Sequence, residues 1–235
     1  MNILITGTSR GIGKAIAERL SQDGHQVFAA SRNEELLKDY SNYCICDLAT
    51  KEGMQKLGDY IENNNIDVLI NNAGEYIETP MTEVINLDEL EHCTRLNLEA
   101  PLYLISRAVP YMKENGFGRI VNIGSISGVM GEAYASVYSA TKSGLIGGTK
   151  AIALELAEYG ITVNTINPGW VETDLGNESI QNGEFTKDEI TACIPQKRFI
   201  SPIEIADLVR YMISKEAKGF TGQSVNLCAG LSVGY

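Results

Sequence analysis

The sequence predicts an α/β fold, a doubly wound parallel sheet with helices on both faces, and three observations carry that prediction. Short β-branched apolar runs alternate with helix-length amphipathic segments along the chain. The runs are continuously apolar instead of alternating, as strands buried on both faces require. A glycine-rich turn joins the first run to the first helical segment. Right-handed crossovers between parallel strands then put the connecting helices on both faces of the sheet.

Taken in order, Ile3 to Thr6, Gln26 to Ser31, Val68 to Asn71, Ile120 to Ile123 and Thr162 to Asn167 are the expected strands. The segment from Ile12 to Gln22 has Ile12, Ile16 and Leu20 on one helical face and Gly24 where a left-handed residue ends a helix. Two longer helices are expected over Glu83 to Asn115 and Val137 to Tyr159. From Glu172 to Ile200 a polar, glycine-containing segment interrupts the alternation. Ser201-Pro202-Ile203-Glu204 then restarts a helix with an N-cap, a first-turn proline and a capping box. Residues 172–200 are read as a lid within a single domain spanning 1–235; an ordinary surface excursion is the alternative. No internal repeat, low-complexity stretch or Pro/Ser-rich linker divides the chain.

Composition excludes several classes. With 235 residues, 44% hydrophobic and 21% charged, the chain can bury a substantial core and is not disordered. No uninterrupted apolar stretch reaches about 20 residues, and Met1-Asn2 runs into Ile3-Leu4-Ile5 without a basic head, so a soluble cytoplasmic protein is expected. A net charge of −11 opposes nucleic-acid or anionic-membrane partners. Five cysteines without a Cys-x-x-Cys pair, and only His25 and His92 as imidazoles, argue against a disulfide scaffold and against a metal site.

The first turn, Gly7-Thr8-Ser9-Arg10-Gly11-Ile12-Gly13, stands between strand and helix, where backbone N–H groups and the helix dipole can receive a pyrophosphate. Glycines also serve turns that bind nothing, so the strand-turn-helix setting carries the reading. After the second strand, where a carboxylate would favour the free ribose 2′-hydroxyl of NAD, the chain has Ser31-Arg32. Arg10 and Arg32 together point to a 2′-phosphate, and hence to NADP(H) in preference to NAD(H), unless both are plain solvated charges.

At this point the residues resemble the short-chain dehydrogenase/reductase family from Ile3 to Gly230. Thr6-Gly7-x-x-x-Gly11-x-Gly13 is similar to its cofactor motif, Asp47-Leu48 to its pair beside the adenine, and Asn71-Asn72-Ala73-Gly74 to its motif after the fourth strand. Asn97, Ser125, Tyr138-x-x-x-Lys142 and Pro168-Gly169-Trp170-Val171-Glu172-Thr173 follow in the family's order. The resemblance implies a Rossmann-type sheet. It also implies that Ala73 and Gly74 let backbone approach the ribose, and that Pro168, Gly169, Val171 and Thr173 hold the nicotinamide carboxamide. Lys142-Ser143-Gly144-Leu145-Ile146-Gly147 and Ile194-Pro195-x-x-Arg198-Phe199-x-Ser201-Pro202 resemble the 3-oxoacyl-acyl-carrier-protein reductase branch. Cys228-Ala229-Gly230 departs from that branch's Asp-Gly-Gly at a subunit contact, which weakens the implied tetramer. A homo-oligomer, tetramer or dimer, through the two long helices remains the expectation. Leu102, Leu104, Ile105 and Val109 would serve it, or equally the internal core.

The chemistry leads to the same residues. Reducing a carbonyl by hydride transfer leaves a developing alkoxide, which needs a proton donor and hydrogen-bond donors. Tyr138 and Lys142 are i and i+4 on an expected helix, so the cation can lower the tyrosine pKa. In the family the lysine also holds the nicotinamide ribose. A second copy of the spacing, Tyr211 and Lys215, lacks what singles out Tyr138: Ser125, thirteen residues earlier, just past an apolar strand. Ser127 is a rival for Ser125 by register. Asn97 resembles the asparagine that anchors a proton-relay water, or is a satisfied buried amide. The expected function is reduction of a ketone, a 3-oxoacyl thioester or related carbonyl, by NADPH. An alcohol dehydrogenase working oxidatively and a dinucleotide-binding regulator or scaffold are the alternatives.

Overall fold

The structure, a computed structural model, describes residues 1–173 and 186–233. The chain runs β1 (Asn2–Thr6), α1 (Gly11–Gln22), β2 (Gln26–Ser31), β3 (Asn42–Ile45), α2 (Lys51–Asn63) and β4 (Val68–Asn71). It continues with α3 (Leu87–Thr94), a π-helical turn (Arg95–Glu99) leading into α4 (Ala100–Asn115), β5 (Gly118–Ile123), α5 (Ser127–Met130) and α6 (Ser136–Leu156). After β6 (Ile161–Pro168) come α7 (Lys187–Cys193), α8 (Pro202–Met212) and β7 (Ser224–Leu227).

The strands form one parallel sheet in the order β3-β2-β1-β4-β5-β6-β7. Side chains alternate across it, as the twofold strand period demands. Leu4, Leu69 and Ile120 face one core with Leu57 and Ile61 of α2 and Leu104 and Met112 of α4. Ile3, Ile5, Val68, Ile70 and Val121 face the other, with Ile16 and Leu20 of α1 and Ile205 and Val209 of α8. Both faces are covered, which is why these strands read as unbroken apolar runs.

All five expected strands form. β3 and β7 were not among them, for a physical reason: each pairs on one side only, and their polar residues tolerate an edge that a central strand would not. Gly24 adopts φ +80° behind α1, as its place after the helix requires. Ser201 and Glu204 form the expected capping box on α8. The helix expected from Glu83 begins only at Leu87, because the Asn86 side chain accepts the Asp88 N–H (2.9 Å) and caps it there.

The excursion after β6 leaves and returns at one point. Val171 bridges Ile200, with Glu172 N–H donating to the Ile200 carbonyl (2.9 Å) and Ile200 N–H to that of Trp170 (2.8 Å). Trp170 stacks on Phe199 at 5.8 Å between ring centroids. Of the apolar residues in this segment, Ile190 packs against the α1 and α8 side of the core. Leu175, Ile180 and Phe185 lie outside the described residues.

Candidate active site

Strand order reverses between β1 and β4, and a doubly wound sheet opens a crevice there, at the carboxyl ends of its strands. Thr6 closes its floor: its hydroxyl oxygen accepts the N–H groups of Asn72 and Ala73, both at 2.9 Å. The Asn72 amide donates back to the carbonyls of Thr6 (2.8 Å) and Gly7 (3.2 Å). The glycine turn and the Asn71-Asn72-Ala73-Gly74 stretch are thereby stitched together. A Cβ on Gly13 would stand 2.2 Å from the Gly7 carbonyl oxygen, so helix and turn approach as only glycine allows.

This crevice fits a dinucleotide. The twelve-residue α1 has no side-chain N-cap bond and no acidic residue in its first turn, so its dipole faces the crevice uncountered. The Thr8 hydroxyl in the same turn is buried with no hydrogen-bond partner, a donor ready for an anionic oxygen. Ser9, Gly11 and Ile12 complete the turn at intermediate exposure. Arg10 and Arg32 are exposed at the ends of neighbouring strands. Asp47 is held by its own turn, its carboxylate accepting the Ala49 N–H (3.0 Å) beside buried Leu48.

β5 and α6 supply the other half. Ser125 stands just past β5, close enough to Tyr138 for its hydroxyl to favour the phenolate. Lys142, buried one helical turn on, donates to the Ile123 carbonyl (3.0 Å), with its ammonium 5.6 Å from the Tyr138 ring centre. Asn97 lies on the π-helical turn, a helix irregularity common at functional sites. Its amide accepts the Glu75 N–H (3.2 Å) and donates to the Glu75 carbonyl (2.9 Å). A Cβ on Gly74 would be 2.7 Å from the Asn97 Oδ1 and 3.3 Å from the Lys142 Nζ, which measures how tightly these groups converge. Pro168 ends β6, and Gly169, Val171 and Thr173 follow it along the same edge, with Gly169 N–H bonded to the Leu227 carbonyl (3.0 Å).

Burial pushes the Tyr138 phenol up to about 12, with Glu132 and Cys93 adding to the rise and the Ser125 hydrogen bond opposing it. Burial likewise pushes the Lys142 ammonium down to about 8, against the pull of Cys93. The sequence reading expects Lys142 to lower the tyrosine; here burial raises it instead, and Lys142, itself desolvated, spends its hydrogen bond on a backbone carbonyl. The Ser127 hydroxyl is committed elsewhere, donating to Glu132. Tyr211 is 50% exposed on α8, its ring against Phe220 and not in the crevice.

Sequence reasoning missed two groups. Asn122 accepts from the Asn71 amide (2.8 Å) and donates to Thr149 (2.9 Å), which meets Thr165 (2.7 Å), a buried polar chain beneath the site. The signal was available as an asparagine inside an apolar strand. Glu132 and Tyr76 also enter the site, but they come from loops separated by 56 residues and carry no spacing pattern.

The profile of the short chain dehydrogenase family matches residues 1–184. A 3-oxoacyl-[acyl-carrier-protein] reductase FabG of Rickettsia bellii is 38% identical, over 97% of this chain and 95% of its own. A structure of an actinorhodin polyketide ketoreductase variant with NADPH superposes with a TM-score of 0.92 at 35% identity, over 99% of this chain and 97% of its own. YwfH, an NADPH-dependent reductase involved in bacilysin biosynthesis, gives a TM-score of 0.91 at 28% identity, over 100% of this chain and 99% of its own. Sheet order, crevice and sequence agree: the chain belongs to the short chain dehydrogenase family.

Proposed function

We propose that the protein is an NADPH-dependent ketoreductase that turns a ketone, a 3-oxoacyl thioester or related carbonyl, into a secondary alcohol. The convergence of Ser125, Tyr138 and Lys142 beside the glycine crevice carries this reading. Similarity to FabG and to the actinorhodin ketoreductase supports it. NADPH, when bound, supplies the hydride. The α1 N-terminus with Gly7, Ser9, Gly11, Ile12 and Gly13 holds its pyrophosphate, Arg10 and Arg32 its 2′-phosphate, and Asp47 and Leu48 its adenine. Asn71, Ala73 and Gly74, together with Tyr138 and Lys142, hold its nicotinamide ribose. Pro168, Gly169, Val171 and Thr173 hold the carboxamide. Ser125 orients the carbonyl oxygen, Tyr138 donates the proton to it, and Asn97 with Lys142 leads a replacement proton inward.

A phenol with its pKa near 12 keeps its proton at neutral pH, the state in which a proton donor for ketone reduction must stand. The apolar groove between α4 and α6, about 570 Å³, is lined by Leu102, Val109 and Ile152 over a floor that includes buried Ile105, whereas Leu104 is spent in the core. We assign self-association to that groove. Among the described residues no helix is long and apolar enough to cross a membrane, in keeping with our reading of a cytoplasmic enzyme. Residues 172–200, tied at their base by Val171 and Ile200, are assigned as the substrate lid of a single domain.

The test is oxidation of NADPH and NADH by the purified chain with acetoacetyl thioester and simple ketones. Faster turnover with NADPH is expected; none on any ketone would overturn the reading. In the same assay kcat/KM for NADPH should be level at neutral pH and fall as pH rises through about 8, where Lys142 loses its proton while Tyr138 keeps its own. A profile level to about pH 10, the ordinary lysine range, would remove Lys142 from that role.

A further inference from the structure

One carboxylate enters the site without a part in the chemistry above. Glu132 lies in the loop between α5 and α6, half-buried, its N–H donating to the Ser139 hydroxyl of α6 (3.1 Å). One carboxylate oxygen accepts the Ser127 hydroxyl, and the other accepts the Tyr76 hydroxyl (3.3 Å). Tyr76 packs edge-on against Tyr138, 5.3 Å between ring centres. The Ser125 hydroxyl in turn reaches the Ser127 oxygen (3.0 Å) and accepts the Ser127 N–H (3.1 Å). A carboxylate only accepts, so it fixes the direction of the chain: Ser127 must point its proton at Glu132, leaving its oxygen to receive the Ser125 proton until a substrate carbonyl takes that bond in its place.

The same carboxylate is a fixed negative charge beside Tyr138 and Tyr76, opposing the ionisation of both phenols. Around it α5 exposes Val129 and Met130, each at 46%, and the loop exposes Tyr134, so apolar surface rims the charge. A ligand carrying its own carboxylate near the reacting carbonyl meets like charge in a partly desolvated site, where screening is weak. An uncharged ketone does not.

We propose, resting on the ketoreductase reading, that Glu132 is a positioning and specificity-determining residue. It sets the Ser127–Ser125 hydroxyl chain and makes the site take uncharged oxo-esters and oxo-thioesters while turning away free 3-oxo acids.

The experiment compares ethyl acetoacetate with acetoacetate, reduced with NADPH by the full chain and by Glu132→Gln and Glu132→Ala. The wild type should favour the ester. Glu132→Gln keeps an oxygen for Ser127 but loses the charge, and should raise the acid-to-ester ratio of kcat/KM by about tenfold or more, the scale of partly screened repulsion over several ångströms. Glu132→Ala should shift the ratio equally and also lower kcat on both, because Ser125 loses its anchored neighbour. Calorimetric titration of the two ligands into the chain with NADP⁺, where no hydride is available, reads the same ratio without turnover. An unchanged ratio in Glu132→Gln, by turnover or by binding, overturns the proposal. Absence of turnover in the wild type with a shifted binding ratio sinks the reductase reading and leaves Glu132 in its role.

Discussion

Tyr138→Phe is expected to lower kcat by about 10²- to 10⁴-fold, the span that a positioned general acid contributes. NADPH should still bind within a small factor of wild type. The substitution removes one oxygen from a ring held between Tyr76 and the Lys142 ammonium, and it leaves the Ser125–Ser127–Glu132 chain and the Lys142 bond to Ile123 in place. The deficit should therefore fall on the chemical step. Stopped-flow reduction of a bound ketone checks the rate, and quenching of nicotinamide fluorescence checks the affinity. A variant retaining near-wild-type turnover would mean that the proton comes from elsewhere.

Gly13→Ala should have the larger effect on the cofactor. The new Cβ would meet the Gly7 carbonyl oxygen at 2.2 Å and the Asn72 Nδ2 at 2.4 Å. Neither can yield, because the Asn72 amide is bound to the carbonyls of Thr6 and Gly7 and Gly7 N–H is bound to Ala30. Forcing the methyl in moves the turn off the helix axis, so NADPH affinity should fall by about 100-fold or more, with about 1–3 kcal/mol of stability lost to overpacking. Gly147→Ala is the control: it lies in α6 with no atom within 4 Å of the added Cβ. There alanine should be neutral or stabilising by up to about 1 kcal/mol through helix propensity. Urea unfolding and nicotinamide fluorescence titration separate the two quantities. A Gly13→Ala protein that binds NADPH as tightly as wild type would place the pyrophosphate elsewhere.

Much of the architecture was legible because it depends on local pattern. A central parallel strand must be apolar on both faces, so Ile3 to Thr6 and Val68 to Asn71 announce themselves; β3 and β7, each with one neighbour, do not. The helix signals at Gly24 and Ser201 depend on backbone needs of a few adjacent residues, and both hold. The start of α3 moved from Glu83 to Leu87 because the Asn86 cap competes with any periodic pattern running through it.

What the sequence determined by itself was the doubly wound sheet and its crevice motif; it also nominated the short list Asn97, Ser125, Tyr138 and Lys142, since each rests on residues close together or on a strand end. Tertiary structure decided the rest. It turned Ser127 toward Glu132, brought Tyr76 from a distant loop onto Tyr138, and joined Asn97 to the Glu75 backbone. It also decided the ionisation of the pair: spacing puts Lys142 beside Tyr138, but burial sets the phenol near 12 and the ammonium near 8. Desolvation depends on everything packed around a group, and no spacing along a chain records that.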